Sequence, residues 1–185
     1  MATERELKVT DIKKEEVVER LKQLGARYVG TYRFRHLISL PKGSSRGESW
    51  FRIRSDGKIH VVTFKQKNRN KLAQQKYEMR IDDIRQYVNM FLSAPYKLLY
   101  FENRRIEYSL NSNKITIDKW PRLPWSLEIE GNSKREIMEM FRQLDLKNGK
   151  PLGNMSGRKG YEFYNLDYEE VGDARLTDIK KFYNL

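Results

Sequence analysis

The opening stretch ATERELKVT, residues 2–10, spaces Glu4, Glu6 and Lys8 two apart, with Leu7 and Val9 between and after them. Side chains alternate faces along a strand. This spacing predicts a first strand with two carboxylates and an ammonium on one face and apolar residues on the other. The rule recurs along the chain. Trp50, Arg52 and Arg54 oppose Phe51 and Ile53; Thr63, Lys65 and Lys67 oppose Val62 and Phe64; Glu78 and Arg80 oppose Tyr77, Met79 and Ile81. Arg105 and Glu107 then oppose Ile106, Tyr108 and Leu110; Thr116 and Asp118 oppose Ile115 and Ile117; Glu128 and Glu130 oppose Leu127 and Ile129. An antiparallel sheet ordinarily has one dry and one wet face. Here the wet face carries long charges of both signs rather than a mixture of Thr, Ser and Lys.

Three amphipathic helices punctuate these strands. The first is predicted over residues 11–25, with Val17, Val18, Leu21 and Leu24 as its stripe and Gly25 as its stop. The second runs from Asp82 or Asp83 to about Ser93, with Ile84, Tyr87, Val88 and Phe91 inward. The third starts at Ser133, which forms a capping box with Glu136, and its stripe is Ile137, Met138, Phe141 and Leu144. Residues 28–40 read as a strand and residues 41–47 as a loop. Strands at 48–54 and 59–67 form a hairpin across Ser55-Asp56-Gly57. Further strands fall near 76–81, 96–108 (one long bent strand or two), 115–119 and 126–130. From Gly149 the pattern is less regular, with a short last helix near Asp178. The recurrence of strand, helix and strands hints at two similar halves.

The 185 residues suit a single domain with a real core. No cysteine is present, which excludes disulfides and cysteine-ligated metals and fits a cytoplasmic protein. No apolar run is long enough to span a membrane. Lys and Arg outnumber Asp and Glu by 37 to 25, a net charge of +12, which favours polyanionic partners. The densest basic run, residues 65–71, reads as a turn. His36 and His60 lack metal-site spacing and read as ordinary strand residues.

If the helices cover the apolar faces, the charged faces point at each other or at water. A sheet of about eight strands can close into a barrel with room for one small ligand. A charged interior is costly unless its charges are paired or matched to a ligand. Carboxylates holding a divalent cation, opposite Lys and Arg holding an anion, satisfy both sets, and magnesium is commonly held by a few carboxylates plus substrate phosphates.

The stretch E4-R-E-L-K8 resembles the E-x-E-x-K signature of the CYTH superfamily, the triphosphate tunnel metalloenzymes. The agreement continues in order through F51-R-I-R54, T63-F-K65, Y77-E-M-R80, R105-I-E-Y108, I115-T-I-D118 and L127-E-I-E130, covering roughly residues 2–145. The resemblance implies an α+β fold built on a closed antiparallel eight-stranded barrel with helices outside, as one domain over residues 1–185 whose C-terminal extension begins at 149. It implies metal binding by Glu4, Glu6, Asp118, Glu128 and Glu130, and phosphate binding by Lys8, Arg52, Arg54, Lys65 and Arg105. Glu4, Glu6, Lys8 and Glu130 would be the catalytic residues. The cofactor would be Mg2+ or Mn2+, and the substrate a triphosphate: ATP, thiamine triphosphate, inorganic triphosphate or an RNA 5′ end. Glu78 would balance the basic residues or join the metal shell. The chain would act without a membrane, as a monomer or homodimer.

The chain also departs from the family pattern. Arg33 and Arg35 stand where the family often has an acidic-aromatic segment, Asn103 stands where many members have lysine, and the tail G160-Y-E-F-Y-N-L166 only loosely matches the cyclase motif. These departures bear on the substrate more than on fold or metal. The expectation is a triphosphatase-type phosphohydrolase. The alternatives are a class IV adenylyl cyclase, which makes cyclic AMP and pyrophosphate from ATP, and a non-catalytic protein binding a triphosphate or an RNA 5′ end. Such a binder would respond chiefly to salt, the enzymes to metal.

Overall fold

A computed structural model describes residues 5–41, 49–67, 74–93, 96–146, 149–153 and 157–184. Glu4, the loop expected after Pro41 and most of the basic turn at 65–71 lie outside the described residues. In chain order the elements are β1 (Arg5–Thr10), α1 (Lys14–Gln23), β2 (Arg27–Pro41), β3 (Ser49–Ser55), β4 (His60–Lys67) and β5 (Gln74–Ile81). Then come α2 (Ile84–Ser93), β6 (Tyr96–Leu110), β7 (Asn113–Lys119), β8 (Trp125–Gly131) and α3 (Lys134–Leu144). The tail supplies β9 (Lys150–Gly153), α4 (Arg158–Phe163), α5 (Tyr168–Val171) and α6 (Leu176–Tyr183). No helix among the described residues is long and apolar enough to cross a membrane.

The strands form a nine-stranded antiparallel sheet in the order β5-β4-β3-β2-β6-β7-β8-β1-β9. This corrects the expectation of a closed eight-stranded barrel: the described sheet is open, with β5 and β9 at its ends. The outer side of β1 is taken by β9, whose register on β1 shifts between Lys8 and Val9. The signal for β9 was short and polar, so it was not anticipated. Residues 96–110 form one continuous strand.

The chain divides into two compact units, residues 1–32 with 103–168, and residues 33–102 with 169–185. The C-terminal extension therefore contributes to both. In the first unit Val9, Ile115, Ile117, Leu127 and Ile129 form a dry sheet face against Val17 and Leu21 of α1 and Ile137, Met140 and Leu144 of α3. Helix α1 begins three residues later than its sequence pattern suggests. Asp11 has φ of 59°, a left-handed conformation, and the Ile12 amide bonds to the Trp125 carbonyl. The helix ends at Gly25, whose φ of +75° suits glycine, while the Ala26 amide closes back on the Leu21 carbonyl at 2.9 Å. Ser133 Oγ caps α3 by accepting from the Glu136 amide at 3.2 Å. The buried methionine of α3 is Met140, not Met138. With Ile137 and Leu144 it keeps the i, i+3, i+7 spacing of an inward stripe.

In the second unit Leu37, Ile53 and Val62 pack against Ile84, Val88 and Phe91 of α2 and against Ile179 and Phe182 of α6. The β3–β4 turn forms where expected. Asp56 Oδ1 accepts from the amides of Lys58 and Ile59 at 2.9 and 2.7 Å, and Gly57 has φ of 92°. Beyond α5 the chain lies along β6: the Tyr100 amide bonds to the Gly172 carbonyl at 2.6 Å and the Ala174 amide to the Leu98 carbonyl at 3.3 Å.

Candidate active site

The alternation that packs Leu7, Val9, Leu127 and Ile129 into the core turns their neighbours to the opposite face. Register then decides which charges meet. In the first unit Lys8 pairs with Glu128 and Glu6 with Glu130 across β1 and β8. Thr116 is opposite Glu128 and Lys114 opposite Glu130, while Arg105 is opposite Asp118 and Glu107 opposite Thr116. Glu6, Lys8, Arg105, Asp118, Glu128 and Glu130 thus share one face of four adjacent strands. Lys114 belongs to the same face and was overlooked, although the spacing of Thr116 and Asp118 places it there.

Three close ion pairs join charges on this face. Lys8 Nζ lies 2.7 Å from Glu128 Oε2. Burial disfavours both charged forms, but each outweighs that penalty for the other. Lys8 is held above its ordinary value, and Glu128, with help from Arg105, is held well below the usual carboxylate range. Asp118, with its side chain only 5 % exposed, receives a fork from Arg105: Nε to Oδ1 at 2.8 Å and Nη2 to Oδ2 at 2.7 Å. Asn103 Nδ2 adds a third bond to Oδ1 at 3.0 Å, and Thr116 Oγ1 lies 3.4 Å from Oδ2. Burial pulls the Arg105 guanidinium down, yet Asp118 outweighs it and raises it further above its already high value. Asn103, noted in the sequence only as a missing lysine, is a buried clamp on Asp118. Lys114 Nζ lies 3.1 Å from Glu130 Oε2.

Glu6 and Glu130 are directly opposed across β1 and β8. Like charges in that position repel, so the pair is a natural place for a cation. Among the described residues no three Asp, Glu or His side chains form a ready-made metal cage. The donors suit a hard cation all the same: Mg2+ takes one or two carboxylates and completes its octahedron with water and substrate phosphates.

The second unit carries a basic face. Ile38, Arg52, Thr63 and Glu78 stand in one row, and His36, Arg54, Val61 and Arg80 in the next. Arg52 Nη2 donates to Thr63 Oγ1 at 3.3 Å, and Thr63 Oγ1 donates to Glu78 Oε2 at 3.2 Å. Arg52 and Lys65 both lie over Trp50, each 5.6 Å from the ring centre, and Arg54 lies 4.9 Å from that of Phe34. Partial burial raises the Glu78 carboxyl, but Lys76, Thr63, Arg54 and Arg52 outweigh it and bring it below its ordinary value. Glu78 is therefore an anion among cations, in keeping with a charge-balancing role. Arg52, Arg54 and Lys65 occupy one face as expected, and Glu4 lies outside the described residues.

No family model and no curated protein matches the sequence. Solved structures do share its fold. PH1012 of Pyrococcus horikoshii OT3 aligns at 20 % identity over 80 % of this chain and 94 % of its own, with a TM-score of 0.65. A Vibrio parahaemolyticus protein described as a candidate adenylate cyclase aligns at 13 % identity over 80 % and 93 %, with a TM-score of 0.66. HpAC1 of Hippeastrum, a candidate adenylyl cyclase described as having a dominant triphosphatase activity, aligns at 13 % identity over 89 % and 97 %, with a TM-score of 0.62. The chain shares the fold of these neighbours.

Proposed function

We propose that the protein is a metal-dependent phosphohydrolase of the triphosphate tunnel type. The observation that carries this reading is the acidic pairing of Glu6 with Glu130, set beside the Lys8–Glu128 pair on a face that also presents Arg105. A pure anion binder gains nothing from opposed carboxylates next to its ligand; a metal–phosphate site needs both signs. The likeness to HpAC1 is one of fold, and its described activity is consistent with the same chemistry here.

In this reading Glu6, Glu128 and Glu130 hold the cation, and Glu4 precedes them on the same strand pattern. A bound divalent cation would offset phosphate charge and lower the pKa of a coordinated water. Lys8 and Arg105 bind phosphate oxygens on the acidic face. On the second unit's basic face, Arg52, Arg54 and Lys65 are cations of the kind that bind phosphate oxygens. Asp118 positions Arg105, because its oxygens already accept from Arg105, Asn103 and Thr116. On the acidic face the Lys8–Glu128 and Arg105–Asp118 pairs hold both cations in place.

Product analysis tests this. The protein is incubated with ATP, inorganic triphosphate or thiamine triphosphate, with Mg2+ or Mn2+, and products are resolved by anion exchange. Orthophosphate with the matching diphosphate is expected. Cyclic AMP with pyrophosphate would replace hydrolysis by cyclisation, and no product from any substrate would overturn catalysis on free triphosphates.

A further inference from the structure

Strand β5 ends the sheet, and among the described residues it pairs with β4 alone. Lys76 to Arg80 are exposed without interruption. Tyr77 and Met79, on the face continuous with Phe64, are 54 % and 56 % exposed. An edge strand of this kind offers unpaired backbone donors and acceptors to any second strand. Its sequence says which strand fits. Around Met79 the charges are antisymmetric: Glu78 precedes it and Arg80 follows, while Lys76 lies three before and Asp82 three after.

We propose that the protein forms a two-fold dimer by antiparallel pairing of β5 with β5 of a second copy, with the axis at Met79. In that register Glu78 faces Arg80 and Lys76 faces Asp82 of the other copy, each twice by symmetry. On the opposite face Tyr77 meets Ile81, and Met79 meets Met79. Opposite charges directly across a sheet stabilise and like charges destabilise. Keeping like faces together restricts slippage to steps of two residues on either copy. An axis at Glu78 opposes Glu78 to itself and Lys76 to Arg80. An axis at Arg80 opposes Arg80 to itself and Glu78 to Asp82. Both neighbouring axes are therefore repulsive. An axis at Tyr77 retains only the Lys76–Glu78 attraction, and one at Ile81 only that of Arg80 with Asp82. Only the Met79 axis brings all four charges of the strand and its end into attractive pairs, and the isologous contact closes at two copies.

Cysteine cross-linking reads the register, because the chain has no native cysteine. At the axis, paired Cα atoms lie about 4.5–5.5 Å apart, within disulfide range. Met79→Cys is expected to form a covalent dimer under mild oxidation. Tyr77→Cys, about 13 Å from its symmetry mate, is expected to stay monomeric. Sedimentation equilibrium of the full chain should give twice the monomer mass of 22.2 kDa. Arg80→Glu should return it to that mass, and Glu78→Arg with Arg80→Glu should restore the dimer. A wild-type monomer throughout the micromolar range, equal cross-linking of both cysteine variants, or a double variant as monomeric as the single one would each overturn the proposal.

Discussion

Two residue-scale pairs carry the acidic face, and each makes a separate prediction. Glu128 stays ionised because Lys8 and Arg105 outweigh the cost of burying it. Lys8→Met removes the larger of these attractions and leaves the burial, so the Glu128 carboxyl should titrate higher than in the wild type, which a carbon-detected NMR titration reads. Loss of one partner from a buried pair costs about 3 kcal/mol, visible in urea unfolding at neutral pH. The sign follows from the pKa directions. In the wild type Glu128 is lowered, so its contribution is complete above its unfolded value of about 4.3 and is lost as pH falls through the folded value. In the variant that contribution is gone, so the stability gap should narrow as pH drops below about 4. A gap that stayed constant into acid would show that Lys8 acts by packing. Asp118→Asn tests the second pair. It strips Arg105 of its charged anchor, again at about 3 kcal/mol. Triphosphate affinity should fall while the metal requirement persists; loss of the metal requirement would instead make Asp118 a ligand.

At the scale of elements, the tail depends on one close approach. A Cβ on Gly172 would clash with the ring of Phe101, which is 1 % exposed. Gly172→Ala must therefore push the tail off β6 or displace a core aromatic. Overpacking of this kind costs about 1–3 kcal/mol, and hydrogen exchange should quicken at Tyr100 and Ala174, whose amides bond across this contact. Wild-type exchange at both would mean the ring gives way at no cost to the pairing. Which elements were readable in the sequence follows from how local their signals are. The strands at 5–10, 49–55, 60–67, 113–119 and 125–131 announce themselves by alternation, and the Ser133 cap and Gly25 stop by single residues. The first helix starts later than its pattern suggests because Asp11 satisfies that pattern while its backbone turns left-handed, and the next amide, that of Ile12, bonds to Trp125, a partner 113 positions ahead. Strand β9 has four residues and no alternation to detect. The candidate site follows the same division. Which residues share a face was legible from spacing. That Asn103 clamps Asp118, or that Lys114 meets Glu130, depends on cross-strand register, which no local pattern states.

At the scale of the whole molecule, a net charge of +12 draws triphosphates whether or not they are turned over. Attraction alone therefore cannot separate an enzyme from a binder, whereas the metal increment can. Inorganic triphosphate at about a hundredfold its dissociation constant stabilises the native state by about 2.7 kcal/mol. For a chain of this length that is a rise of about 8 °C in Tm. With the carboxylates of Glu6, Glu128 and Glu130 on the face that also presents Lys8 and Arg105, triphosphate without metal meets repulsion as well as attraction. Its shift in EDTA should be smaller than with Mg2+ or Mn2+. Glu6→Gln with Glu130→Gln removes the opposed carboxylates, so the difference between EDTA and metal should collapse while the metal-free shift holds or grows. Added salt should shrink the metal-free shift first, since screening acts on exposed charge. If the wild type gave equal shifts with and without metal, the carboxylates would be bracing the wall through Lys8 and Lys114, and the phosphohydrolase reading would lose its foundation.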